Sequence, residues 1–282
     1  MSPALLLVSA CGQTQNPHAT LTEALLLPGM RGATEASIGG AVRMGVSTEA
    51  TGAEASGAAL GTATARCPEG MAAIDGYCID RYEAYVVELD DAQHETAHSP
   101  FEPVTGLKVR AKVAPDVTPQ GYISQVEARG ACENAGKRLC SAHEFERACR
   151  GPDPKASYPY GGTHRAPGAC NEGKGSTVAV FYGMNAAYDN SQLNDPRMNQ
   201  WSGGLAKTGA YKGCESPSGV FDLVGNLHEW GAETSDSGRG YFRGGYYGDA
   251  EINGSGCAYV TRAHSRNYHD YSTGFRCCSD AP

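Results

Sequence analysis

The stretch Gly136-Lys-Arg-Leu-Cys-Ser-Ala-His-Glu-Phe-Glu-Arg-Ala-Cys-Arg-Gly151 decides how the rest of the chain is read. Inside it, Ser141-Ala-His-Glu144 is a capping box. The serine oxygen accepts the amide three residues on, and the glutamate reaches back to the serine amide. This predicts a helix to about Arg150, ended by Gly151, which tolerates the left-handed conformation of a helix C-terminus. Phe145 and Cys149 are four residues apart and so share a face. Just upstream, Ser124-Gln-Val-Glu127 repeats the device and predicts a helix to about Ala135, with Gly136 as the stop.

Working outward, Cys67-Pro-Glu-Gly-Met-Ala-Ala-Ile-Asp-Gly-Tyr-Cys78-Ile-Asp-Arg-Tyr-Glu83 reads as two short strands about Asp75-Gly76, a hairpin signal. Cys67 and Cys78 face each other across it. After Gly151 the chain is rich in Gly, Pro, Asn and Asp, and its apolar runs are short. Residues 220–225, 241–245 and 274–278 are brief apolar or aromatic pieces read as strands. The prediction is an α+β domain with few regular elements and many loops, which needs covalent or metal support.

Composition supplies the covalent part. Of 11 cysteines, ten lie between Cys67 and Cys278. An even set with no Cys-x-x-Cys pair reads as a disulfide framework in an oxidising compartment. The alternative is a reduced protein with buried thiols; zinc is disfavoured because no two cysteines have zinc-ribbon spacing. All 23 aromatic residues (Trp 2, Tyr 15, Phe 6) lie from Tyr77 onward, so the globular part runs from about Cys67 to the end. The formal charge of −8 argues against a nucleic-acid partner, which calls for a basic face, and is compatible with cation binding. No apolar run approaches the roughly 20 residues of a membrane span.

The start of the chain, Met1-Ser-Pro-Ala-Leu-Leu-Leu-Val-Ser-Ala-Cys11, is short, apolar and ends in small residues before a cysteine. It resembles a bacterial lipoprotein signal spanning residues 1–11, with Cys11 lipidated, although no Lys or Arg precedes the apolar run. Residues 12–66 are rich in Ala, Gly, Thr, Ser and Glu. Such a segment cannot bury enough surface to offset its ordering entropy and reads as a disordered tether to the 67–282 domain. The expectation is an exported lipoprotein, anchored to a membrane by lipid alone, in the periplasm or at the cell surface.

Four blocks in order resemble the formylglycine-generating (sulfatase-modifying factor) family. Residues 136–151 are similar to its GKRLPTEAEWE-x-x-x-RG. Phe221-Asp-Leu-Val-Gly-Asn-Leu-His-Glu-Trp230 is similar to YDMxGNVWEW, Arg243-Gly-Gly-Tyr246 to RGGSW, and Gly274-Phe-Arg-Cys277 to the terminal GFRC. The resemblance spans residues 67–278 and implies a loop-rich, disulfide-stapled variant of the C-type-lectin-like fold.

It also implies pairings and a metal. Cys132 and Cys149 stand where the family places cysteines bonded to the counterparts of Cys277 and Cys257. Cys140 and Cys278 are both departures from the family and make one further pair. Cys67 with Cys78 and Cys170 with Cys214 remain. The partners of the adjacent Cys277 and Cys278 could be exchanged. Family members bind structural calcium at the GNxWEW loop. Carried over, Asp222 and Glu229 are side-chain ligands and Gly225 and Leu227 carbonyl ligands, a set of hard oxygens that suits this ion. Read from the residues alone, the same loop is a solvated Asx turn with a surface glutamate. Asn171 stands near a second family calcium site whose other ligands do not align.

One part of the family pattern is missing. The enzymes hold copper(I) on two cysteines between RGGS and the structural cysteine, and thiolates suit that soft metal. Here Tyr246-Tyr-Gly-Asp-Ala-Glu-Ile-Asn-Gly-Ser-Gly256 contains no cysteine, and Cys257 aligns with the structural one. No copper is expected. His228 replaces a tryptophan and Tyr246 a serine, so His228, Tyr246, Asp249 and Glu251 form the candidate pocket, with catalytic residues unknown. His264, His269 and Asp270 could be two histidines and a carboxylate for iron, or plain loop residues. Two readings follow. One is a calcium-stabilised binding or structural module for an unknown protein or small-molecule ligand. The other is a periplasmic oxidoreductase or tailoring enzyme with a changed active site.

Overall fold

A computed structural model describes residues 66–282. The expectations for the lipoprotein signal, Cys11 and all but the last residue of the tether fall on residues 1–65 and lie outside the described residues. The hairpin forms where Asp75-Gly76 places it. Strands β1 (Met71–Ile74) and β2 (Tyr77–Asp80) pair antiparallel with Ile74 opposite Tyr77. Asp75 and Gly76 take φ of 42° and 93°, as a two-residue turn of this type requires. A small sheet follows, made of β3 (Tyr85–Leu89), β4 (Glu95–Ala97) and β5 (Val109–Lys112) in the order β4-β3-β5.

Both capping boxes are made. Helix α1 (Gln125–Asn134) follows Ser124, and α2 (Ala142–Arg150) follows Ser141. In the second box the Glu144 amide donates to Ser141 Oγ at 3.3 Å and the Ser141 amide to Glu144 Oε2 at 2.8 Å. Phe145 and Cys149 both point into the core. Removing the cap, Ser141→Ala, should cost about 1 kcal/mol and lower the melting temperature by about 2–4 °C. An unchanged thermal melt would mean that Arg138, which grips Glu144 through both its terminal nitrogens, holds the helix end unaided.

Between the helices lies β6 (Arg138–Leu139). Further on come β7 (His228–Thr234), β8 (Gly240–Arg243), β9 (Val260–Thr261), β10 (Thr273–Gly274) and β11 (Cys277–Asp280). The C-terminal β11 lies between β2 and β6 in the sheet β1-β2-β11-β6, so the two ends of the domain share one sheet. The other sheet runs β10-β7-β8-β9. The 241–245 piece is a strand largely as expected, whereas 274–278 is the end of one strand and the start of another. Residues 220–225 are not a strand. Asp222 and Gly225 take φ of 60° and 80°, and the amides of Phe221, Asp222 and Gly225 donate to Arg81, Cys214 and Gly244 in three different segments.

Five disulfides join Cys67–Cys78, Cys132–Cys277, Cys140–Cys278, Cys149–Cys257 and Cys170–Cys214, all as expected; of these the resemblance itself implied Cys132–Cys277 and Cys149–Cys257. Cys277 and Cys278, successive on β11, point to opposite faces of its sheet and lie in different core clusters. Cys277 joins Trp230, Phe242 and Phe275, and Cys278 joins Phe145, Leu223 and Val224. The domain is thus a loop-rich, disulfide-stapled α+β fold. Among the described residues no helix is long and apolar enough to cross a membrane.

Candidate functional site

The 221–230 loop is held by polar side chains from elsewhere in the chain. Gly225 sits so close to Asn171 that an added Cβ would lie 2.2 Å from its carbonyl oxygen. Asn226, left-handed at φ 54°, donates its amide to that same oxygen at 2.8 Å. Its side-chain oxygen accepts from the Ala206 amide at 2.9 Å and from Asn171 Nδ2 at 2.8 Å. Trp230 then turns inward, donates its indole N–H to the Ile123 carbonyl at 2.8 Å and packs edge-on against Phe242.

Glu83, which the sequence reading did not single out, is completely buried beneath this loop. It accepts the Leu227 amide at 2.9 Å on one oxygen and Asn226 Nδ2 on the other. Burial first, and then the neighbouring Asp222 and Glu229, push its carboxyl well above the usual range. Asp222 is pushed up to about 6, again mainly by burial, against the opposing Gly209 N–H and Arg276 charge. Glu83 lies only three residues past Asp80 and 143 and 144 residues before its partners Asn226 and Leu227, so no local pattern marks it.

The residues proposed as calcium ligands meet different partners. Each Glu229 oxygen already accepts from Arg276, at 2.6 Å from Nε and 2.7 Å from Nη2. Asp222 Oδ2 accepts the Gly209 amide at 2.7 Å. Calcium requires six to eight oxygens converging at about 2.3–2.6 Å. Among the described residues no three His, Cys, Asp or Glu side chains are grouped to hold a metal. The Asp222, Gly225, Leu227 and Glu229 set, as drawn from the sequence, does not fit the ion, because a buried guanidinium holds its second carboxylate.

Three of the four candidate pocket residues gather. His228 leads β7, its ring 4.8 Å from that of Tyr246 and 4.4 Å from that of Phe242. Its Nδ1 meets Ser272 Oγ at 3.1 Å and its Nε2 meets Tyr259 Oη at 3.2 Å. Ser272 donates to Asp270 Oδ1 at 2.7 Å, and Tyr259 to Asp249 Oδ2 at 3.1 Å. Asp249, Tyr259, His228, Ser272 and Asp270 are thus in polar contact in that order, and a neutral ring, with one N–H, can donate to only one of the two hydroxyls. Burial lowers the His228 pKa to about 3, so the ring is neutral at ordinary pH. Glu251 departs from this group. It is exposed and accepts from Tyr158 Oη at 2.6 Å. The turn that brings Asp249 back to Tyr246, with mutual backbone bonds of 2.8 and 3.0 Å, carries the next residues away.

His228 is buried, whereas Tyr246 and Asp249 are half-buried. Three surface clefts, of about 610, 600 and 390 Å³, are lined by none of these four residues. The three residues considered for iron have separate partners. His264 stacks on Tyr268, His269 Nδ1 meets Asn194 Oδ1 at 2.7 Å, and Asp270 accepts from Ser272 and Tyr268. Cys257 is fully buried in its bridge to Cys149.

The sulfatase-modifying factor enzyme 1-like domain matches residues 35–281, and the chain belongs to that family. The match begins well ahead of Cys67. Among solved structures the chain is similar to PvdO from Pseudomonas aeruginosa, at 16% identity and TM-score 0.44, with 72% of this chain and 80% of that one covered. It is also similar to the U1 variant of the major tropism determinant (16% identity, TM-score 0.43, covering 77% and 54%). A third is CarF (15% identity, TM-score 0.40, covering 73% and 87%). No curated protein sequence matches significantly.

Proposed function

We propose that this chain is an exported member of the family that serves as a binding or structural module and does not generate formylglycine. One observation carries the reading. Each of the ten cysteines among the described residues is committed to a disulfide, whereas the family's chemistry calls for a pair of thiolates on copper(I). The nearest cysteine to the changed stretch, Cys257, is buried and bonded to Cys149. The disulfides also support an oxidising compartment. Lipidation at Cys11, with residues 12–66 as tether, would display the domain from a periplasmic or cell-surface membrane to a protein or small-molecule ligand.

A second reading, a tailoring enzyme with a changed active site, is favoured by His228, an imidazole engaged on both nitrogens by hydroxyls that each lead to a carboxylate. Against it, the ring is enclosed by Phe242, Tyr246 and Tyr259. The deciding assay incubates the oxidised protein with copper(I), oxygen and a peptide carrying Cys-x-Pro-x-Arg, and reads the peptide mass. No conversion is expected. Conversion that Cys257→Ser suppresses would restore the enzyme, and conversion that persists in Cys257→Ser but disappears in His228→Phe would favour the second reading.

A further inference from the structure

We infer that the Arg276 guanidinium, rather than a calcium ion, is the cation that organises the 222–229 loop. Arg276 is 1% exposed and spends its donors on the two ends of that loop. Its Nη2 donates to the Phe221 carbonyl at 2.8 Å, immediately before the loop, and also to Glu229 Oε1 at 2.7 Å. Its Nε completes the fork on Glu229 Oε2 at 2.6 Å, and its Nη1 donates to the Asp80 carbonyl at 3.1 Å, tying the loop to β2. A planar guanidinium matches both oxygens of a carboxylate, which a spherical ion or an ammonium cannot do in the same way.

The remaining carboxylates are satisfied by N–H donors. Glu83 takes the Leu227 amide and Asn226 Nδ2, Asp222 takes the Gly209 amide, and Asp80 takes Lys137 and the Cys277 amide. A calcium ion on Glu229 would have to displace Arg276 from both carboxylate oxygens, or sit beside a like charge at contact distance. Each of these carboxylates thus has an N–H donor without an ion, and the buried oxygen left without a partner beside the loop is the amide Oδ1 of Asn171. The stabilising charge comes from a residue 47 positions further along the chain, and it is always present.

The test uses the full oxidised chain and two readouts that need no enzymatic activity. Thermal unfolding is followed in EGTA and in millimolar calcium, and terbium is titrated as a calcium surrogate, with Trp230 beside Glu229 as the sensitiser. The expected result is the same melting temperature in both buffers and no terbium emission that calcium competes away. Arg276→Lys should lower the melting temperature by several degrees, equally in EGTA and calcium. If that variant fails to fold, the two measurements on the unmodified chain decide alone. A calcium-dependent rise of several degrees in the unmodified protein would overturn the inference. So would calcium-competed terbium emission that Glu229→Gln abolishes.

Discussion

A fully reduced chain should fail to fold, the largest effect expected for this protein. Three of the disulfides close long loops, with separations of 145, 138 and 108 residues. In the chain-entropy view, one loop of that size restrains the unfolded state by about 5 kcal/mol. The total stability of a domain is only about 5–15 kcal/mol. The three restraints overlap and do not simply add, but losing all of them exceeds what the small sheets and two principal helices can supply. The measurement is refolding from denaturant with the thiols reduced and alkylated, read by circular dichroism and the fluorescence of Trp201 and Trp230. A cooperative thermal transition in the alkylated chain would refute the expectation. Because all ten sulfurs except that of Cys67 belong to buried residues, reduction of the native protein should be slow without denaturant.

Gly225→Ala should be among the most damaging single substitutions. The site combines φ of 80° with a Cβ position 2.2 Å from the Asn171 carbonyl oxygen and 2.8 Å from its carbonyl carbon. Both are backbone atoms, and the same oxygen accepts the Asn226 amide, so relief on one side breaks a bond on the other. The left-handed conformation alone costs about 1–2 kcal/mol for a residue with a Cβ. With the clash the loss should exceed about 4 kcal/mol, roughly 10 °C or more in melting temperature. Gly76→Ala is the matched control. Its φ is 93°, but nothing lies within 4 Å of the added carbon, so it carries the strain without the clash. Equal melting temperatures for the two variants would disprove the close packing of the loop on Asn171.

The comparison of these two glycines shows what the sequence could and could not reveal. Both sit in recognisable turn signals, but only the fold tells which one is pressed against another segment. Short-range devices were legible. The capping boxes at Ser124 and Ser141 act within four residues, and the Asp75-Gly76 hairpin is a two-residue choice. The long-range pairings Cys132–Cys277 and Cys149–Cys257 came from the family resemblance, not from local pattern. Polar residues with distant partners were not legible. The Arg276 partner of Glu229 lies 47 residues on, and Glu83 drew no attention because Asn226 lies 143 residues on. The apolar run 220–225 looked like a strand because hydrophobicity does not report the sign of φ at Asp222. Glu251 was placed in the pocket by proximity in sequence to Asp249, whereas its carboxylate turns away to Tyr158.

The order of the disulfides along the chain has a consequence for an exported protein. The bridges Cys149–Cys257 and Cys170–Cys214 are nested inside the span of Cys132–Cys277, which Cys140–Cys278 overlaps almost entirely. Any single peptide bond from Cys132 to Cys277 is therefore enclosed by at least one covalent ring. The long stretch from 152 to 213, which holds only the short helices Thr177–Tyr182 and Asn190–Leu193 and 3-10 turns, lies inside three such rings or more. A protease that cuts there opens a ring without releasing a fragment. Both new ends stay tethered to the same core, and the nicked molecule, heavier only by the water added at the cut, remains one covalent piece until a reductant reaches it.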